Sequence, residues 1–490
     1  MPSVSGALKK SAKPKNAAFY INSAISLIIM FSFGQLPAVA PLTPLGMNLI
    51  GIFLGLLYGW IFVDIIWPSL FGLLALMLVG GMTPKAVLAG SFGDSVVVMM
   101  FFIFIFCAAI DHYGLSKYIS MWFITRKFVN GKPWVFTIVF LASLFILGGL
   151  TSASPAALIG WNILYAVCSL CGYKKGDGYP TMMVFGVVFA AQVGMSMIPF
   201  KQVPLTVIGA FETFSGMHID YAKYMLIAIV CCIVCCALFV LICKVVFKPD
   251  MSKLATLDAT KLNGGEDMKL TKQQKIVFFF LIALVLLLLL PSFLPKDFFL
   301  AVFLNKIGST GVCVFIVAVM AVLKVDGEPL IRIPKLISTG VAWPVVFLLA
   351  AVQPLSSAMT SADSGITAGL MAVLNPIFGG SSPIFFMIVI GLIATVFTNV
   401  MNNGALGVAL MPVVYTYCSA NGIDPQLSVI MVVMCVHLAF LTPAASSSAA
   451  LLHANPWITS KAIFKSAPIV VFASWVVVTV ITVGLGSVLF

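Results

Sequence analysis

The chain has 490 residues, of which 61% are apolar and only 9% charged, with a mean hydropathy of +1.15. Soluble domains carry about 25% charged residues, and a water-soluble globule of this composition has nowhere to hide its apolar surface; soluble enzymes, nucleic-acid binders and disordered proteins are excluded, and an integral membrane protein with many spans remains. The net charge of +12 comes from lysines between apolar stretches, where the positive-inside rule places them. Apolar runs this long also exclude a transmembrane β-barrel, whose strands alternate over about ten residues.

Residues 1–17 read as a cytoplasmic N-terminus carrying Lys9, Lys10, Lys13 and Lys15. Ala38-Val39-Ala40 imitates a signal-peptidase site, but the run Ala17–Leu36 before it is long enough to span and reads as an uncleaved first helix. Further apolar runs lie at 46–63, 65–81, 94–112, 133–150, 181–211, 222–247, 276–294, 306–323, 341–359, 383–400, 404–418, 425–441 and 466–488. Gly51, Gly55 and Gly59 form two consecutive G-x-x-x-G units, a face for close helix packing within or between protomers. Lys244–Lys275, with seven lysines and four acids, is the one long polar stretch. It reads as a cytoplasmic linker between a first half, 18–243, and a second half, 276–490. An inside start and an outside end at Phe490 require an odd number of spans, and eleven plus re-entrant segments fits these runs.

The halves resemble each other. Each has a small-residue turn in an apolar context, Thr151-Ser152-Ala153-Ser154-Pro155 and Met401-Asn402-Asn403-Gly404-Ala405. Each then has a second interruption, Ile198-Pro199-Phe200-Lys201-Gln202-Val203-Pro204 and Leu441-Thr442-Pro443-Ala444-Ala445-Ser446-Ser447-Ser448. Paired interruptions in two halves point to a transporter site. Non-helical backbone at membrane depth must line a cavity or be buried in protein. The helix N-termini it creates suit an anion, and the freed carbonyls suit a cation. The expected fold is an all-α polytopic membrane protein. It has about 11 transmembrane helices plus re-entrant hairpins near 151–157 and 401–405. Two broken helices, near 198–205 and 441–448, lie in inverted-topology repeats.

Lys201 stands apart from the other basic residues. It lies within 181–211, a stretch of 31 residues that as one helix would measure about 46 Å against a hydrocarbon core of roughly 30 Å. Pro199 and Pro204 mark where it breaks. The alternative is a complete span ending at Phe200, with Lys201 snorkelling at its surface end. His437 falls mid-helix in its run, as a packing histidine or as a group that titrates during transport. No Walker A sequence and no H-E-x-x-H is present, which argues against ATP-driven transport by this chain and against an enzyme.

Phe397-Thr398-Asn399-Val400-Met401-Asn402-Asn403-Gly404-Ala405, ending in Leu410-Met411-Pro412, resembles the second Ser-Asn-Thr signature of the divalent-anion:sodium symporters. Leu438-Ala439-Phe440-Leu441-Thr442-Pro443 resembles the broken helix that follows it, and Leu42-Thr43-Pro44-Leu45-Gly46 is similar to the family's early helix start. The resemblance spans almost the whole chain. It implies a homodimer in the cytoplasmic membrane, elevator-type alternating access and a small anionic substrate such as a di- or tricarboxylate. It places substrate contacts on Ser152, Ser154, Lys201, Gln202, Asn402, Asn403, Thr442, Pro443, Ser446 and Ser447, and a sodium ion near Asn403 and Thr442. The first signature falls on Ser152-Ala153-Ser154, without its asparagine, and the adjoining loop supplies Lys201. A fixed ammonium there delivers one positive charge and three donors where a bound cation would sit, making sodium unnecessary. A group that took up and released a proton there would couple transport to protons instead. No other cofactor is expected. The alternative reading is a permease or channel for an inorganic oxyanion or ion on the same architecture.

Overall fold

The computed structural model describes residues 17–125, 129–257, 269–295, 297–378, 381–443 and 445–490; the middle of the polar stretch, 258–268, and Ala444 of the second interruption lie outside them. Among the described residues there are 21 α-helices. They begin with α1 (Ala17–Ser32), α2 (Pro44–Phe62), α3 (Ile66–Leu78), α4 (Pro84–Gly90), α5 (Ser95–His112) and α6 (Leu115–Ile124). There follow α7 (Pro133–Leu150), α8 (Ala153–Cys171), α9 (Gly178–Met195), α10 (Gln202–Ser215) and α11 (Tyr221–Ile242). The chain continues through α12 (Lys272–Phe293), α13 (Phe299–Val322), α14 (Ile333–Gly340), α15 (Trp343–Thr360) and α16 (Ile366–Phe378). It ends with α17 (Pro383–Phe397), α18 (Asn403–Ala420), α19 (Gln426–Val436), α20 (Ser447–His453) and α21 (Ser460–Leu489). Among the described residues, eleven helices are long and apolar enough to cross a membrane. The chain is a multi-pass membrane protein.

Polar residues stop and start these helices. Thr43, Thr83, Asp94, Asp220, Ser382 and Thr459 each accept from first-turn N–H groups, which spares those donors an unsatisfied end. Thr271 and Gln274 form a reciprocal capping box at α12. A two-stranded ribbon, β1 (Lys324–Val325) and β2 (Glu328–Pro329), turns at Asp326-Gly327, both at positive φ as a tight hairpin turn of this kind requires.

Two compact units emerge, and they cut across the halves read from the sequence. One comprises Met1–Phe92 and Trp343–Ala372, the other Gly93–Ala342 and Val373–Phe490. In the first, α1 lies on α2 and α15 on α3. Gly51, Gly55 and Gly59 all face neighbours of the same chain: Phe33, Met30 and Pro68 respectively. Ser26 Oγ donates to Gly55 O at 2.7 Å. The G-x-x-x-G face is thus spent on intrachain packing. Thr43 Oγ1 also donates to Asp363 O at 2.6 Å, joining segments 320 residues apart.

In the second unit α7 packs on α9, α17 on α19, α10 on α18 and α11 on α21. The central pieces are α9, 89% buried over its apolar window, and α19, buried throughout from Ser428 to Val436. Helices that end inside the protein must be sheathed by it, since hydrocarbon offers their end groups no partner. The order hairpin, broken helix, long helix occurs twice, as α7–α11 and as α17–α21.

Candidate functional site

All four interruptions lie in the second unit. The first hairpin turns at Thr151 and Ser152. Thr151 is buried, and its Oγ1 donates to Leu147 O at 2.9 Å. Ser152 is the N-cap of α8, and its side chain caps nothing. Between α7 and α9 the backbones nearly touch: a Cβ on Gly148 would sit 2.1 Å from Ala191 O, and one on Gly194 2.1 Å from Phe145 O. Only glycine permits this approach.

The first broken helix ends at Met195 and restarts at Gln202. Tyr224 OH of α11 donates to Ser196 O in the gap at 2.6 Å. Lys201 is the N-cap of α10 and only 7% exposed, so it does not snorkel. Its ammonium donates to Leu150 O, at the C-terminal end of α7, at 2.6 Å and to Cys107 Sγ of α5 at 3.3 Å. Among the described residues it makes no ion pair. Its surroundings are Ile103, Phe106, Ile198, Phe200, Leu281 and Leu284. A buried ammonium in such a place is costly unless hydrogen-bonded, and the carbonyl at the hairpin tip supplies that bond.

The second hairpin is fastened differently. Asn399, buried in its tip, donates through Nδ2 to Thr395 O at 2.7 Å and Leu438 O at 2.9 Å. Its Oδ1 accepts from the N–H groups of Phe440 and Leu441, both at 2.9 Å. Thr442 Oγ1 donates to Asn399 O at 2.6 Å, and Thr398 Oγ1 to Val436 O at 2.8 Å. One asparagine thereby stitches the tip to the gap of the second broken helix and satisfies three backbone groups that the break exposes and one at the end of α17. Nothing local in the run Phe397–Ala405 singles Asn399 out from Asn402 and Asn403. His437 is not mid-helix: α19 ends at Val436, and the imidazole Nδ1 at the C-cap lies 2.7 Å from Val433 O.

Helix starts α18 and α20 are capped by their own side chains. Asn402 Oδ1 accepts from Gly404 and Ala405 N–H at 3.0 and 3.1 Å. Ser446 Oγ accepts from Ala449 N–H at 3.0 Å and donates to Ala439 O at 3.2 Å. Asn403 is buried one residue further on, with its Oδ1 accepting from Gly404 N–H at 3.1 Å.

The two halves meet crosswise. Ser154 and Ser447 hydroxyls are 2.9 Å apart, where α8 packs on α20. Ser448 Oγ donates to Gln192 Oε1 of α9 at 2.7 Å, both fully enclosed. On the other diagonal α10 packs on α18, with Thr206 against Gly404 and Val207 against Gly407. Gln202 starts α10 half-buried, and Pro443 is exposed. Of the residues expected to contact substrate, Ser154 and Ser447 lie against each other and Thr442 lies against the second hairpin tip; Gln192, Asn399 and Cys107 join them from outside that set.

The donors present test the fit of a metal. At the first break Leu150 O accepts from the Lys201 ammonium. At the second, Asn399 Oδ1 already accepts two N–H groups.

Residues 49–437 match the citrate transporter family, CitMHS. The chain belongs to that family. It is similar to the sodium-dependent dicarboxylate transporter SdcS of Staphylococcus saprophyticus, with 22% identity over 412 residues, covering 79% of this chain and 76% of the relative. The YdaH transporter of Alcanivorax borkumensis shares the fold at a TM-score of 0.52 and 14% identity, over 94% of this chain and 97% of that one. The resemblance to the divalent-anion:sodium symporters is thus borne out at the level of the family. The chain is a secondary transporter and not an enzyme.

Proposed function

We propose that this transporter moves a small organic anion, a di- or tricarboxylate, across the cytoplasmic membrane without sodium, with Lys201 standing where a coupling cation would bind. The observation that carries the reading is the Lys201 ammonium on Leu150 O, buried and with no ion-pair partner among the described residues. A charge held at a hairpin tip beside uncapped helix N-termini favours an anion there. The sodium-dependent dicarboxylate transporter among the relatives supports the substrate class. Elevator-type movement is supported by the placement of every interruption in one compact unit. We read the repeated order α7–α11 and α17–α21 as inverted repeats, the N-terminus as cytoplasmic, the C-terminus as external, and the assembly as a homodimer.

The test is uptake of labelled citrate, succinate and sulfate into proteoliposomes, in sodium and in choline buffers at two pH values. The wild type takes up a carboxylate equally in both buffers, and loading the interior with unlabelled substrate accelerates uptake, as only a carrier does. Lys201→Gln loses uptake by about ten- to a hundredfold, in line with a lost charged hydrogen bond, and Lys201→Arg restores part of it. Strict sodium dependence in the wild type, with normal uptake by Lys201→Gln, overturns the proposal.

A further inference from the structure

A groove of about 370 Å³ runs along the second unit between α17 and α21. Leu392, Val396, Phe464, Pro468, Phe472 and Trp475 line it along the two helices, and Asn399, Val400 and Thr442 line it at the hairpin tip and the second break. The walls are apolar and open: Val396, Phe464 and Phe472 are each more than half exposed. In a chain that crosses the bilayer, such rings meet hydrocarbon rather than water.

The α21 wall continues into a charged end. Lys461, Lys465, Pro468, Phe472 and Trp475 follow at spacings of four, three, four and three residues, which at 3.6 residues per turn puts them on one helix face. Both lysines are exposed, and neither forms an ion pair among the described residues. From Lys465 to Trp475 the helix rises about 15 Å, half of the roughly 30 Å hydrocarbon core. The groove therefore has the depth of one leaflet, with two ammonium groups at its mouth.

We propose that this groove binds one acyl chain of an anionic phospholipid, its phosphate resting on Lys461 and Lys465. Charge complementarity at the mouth and the single-leaflet depth select this occupant: a zwitterionic lipid carries its own ammonium beside the phosphate and brings no net counter-charge to the lysines. The seated chain lies against Val400 and Thr442, on the second hairpin tip and the second break. The occupied groove thus braces the tip that Asn399 fastens from within.

The full-length protein, purified in mild detergent, is titrated with phosphatidylglycerol or phosphatidylcholine and read by native mass spectrometry. Its unfolding temperature is followed in vesicles of phosphatidylcholine alone and of phosphatidylcholine with one-third phosphatidylglycerol. The wild type retains phosphatidylglycerol in preference and melts higher in the mixed vesicles. Each lysine is worth about fivefold in affinity at an anionic surface, so Lys461→Gln/Lys465→Gln binds phosphatidylglycerol roughly twentyfold more weakly. Leu392→Trp, which fills the groove, loses the tail contact and with it the preference. Equal retention of both lipids by the wild type overturns the proposal. So does unchanged affinity in both variants, or a Phe472→Cys disulfide between two copies in the mixed vesicles, which would make the groove an interface.

Discussion

The two broken helices solve one problem with opposite chemistry. Each opens a helix inside apolar surroundings and must satisfy the backbone groups set free. At the first break a long cationic side chain reaches back to the hairpin carbonyl, Lys201 to Leu150, and the helix starts at Ser152 and Lys201 carry no side-chain cap. At the second, neutral side chains do all of it: Asn399 crosslinks tip and gap, while Asn402 and Ser446 cap the restarting helices. The lesson is a division of labour. In the first half a charged side chain holds the hairpin tip, and in the second half neutral side chains hold both the tip and the helix starts.

Four substitutions sharpen or break that comparison. The largest effect belongs to Asn399→Ala, which strands buried donors and acceptors in the second hairpin tip and in the gap of the second break. It lowers stability by about 3 kcal/mol or more, seen as a drop in unfolding temperature. An unchanged midpoint would show that the second break is held by packing alone. Gly194→Ala comes next. Its new Cβ meets Phe145 O at 2.1 Å, a backbone contact that cannot swing away, and overpacking of this kind costs about 2 kcal/mol. The separation of α7 and α9 that follows also lengthens the Lys201 bond, so uptake falls with stability. The smallest effect discriminates most sharply between the halves. Asn402→Ala removes a cap and costs about 1 kcal/mol. Ser152→Ala removes none and costs less than about 0.5 kcal/mol, while anion affinity falls for Ser152→Ala. Equal losses of stability for the two would erase the contrast drawn between the helix starts.

Much of this was legible without coordinates. Proline and a lysine inside a stretch too long for one span located the first break, and small polar residues in apolar runs located the hairpins, because helix continuation fails there for local reasons. Which asparagine of Asn399, Asn402 and Asn403 does which task was not legible. The partners of Asn399 lie 39 to 42 residues away in Leu438, Phe440 and Leu441, and no local pattern encodes that pairing. Cys107 as a neighbour of Lys201 was hidden in the same way, 94 residues upstream in an unbroken apolar helix.

The sequence by itself determined a polytopic helical membrane protein, the places where its helices break and the odd position of Lys201. Composition, span length and helix-breaking residues act within a few turns of the chain, so they can be read from it. Only the tertiary structure decided that the G-x-x-x-G face is used within one chain, that Lys201 is buried on a carbonyl, and that the compact units cut across the sequence halves. Each of those depends on which distant backbone arrives alongside, and hydrocarbon leaves no water to satisfy a polar group whose partner fails to arrive.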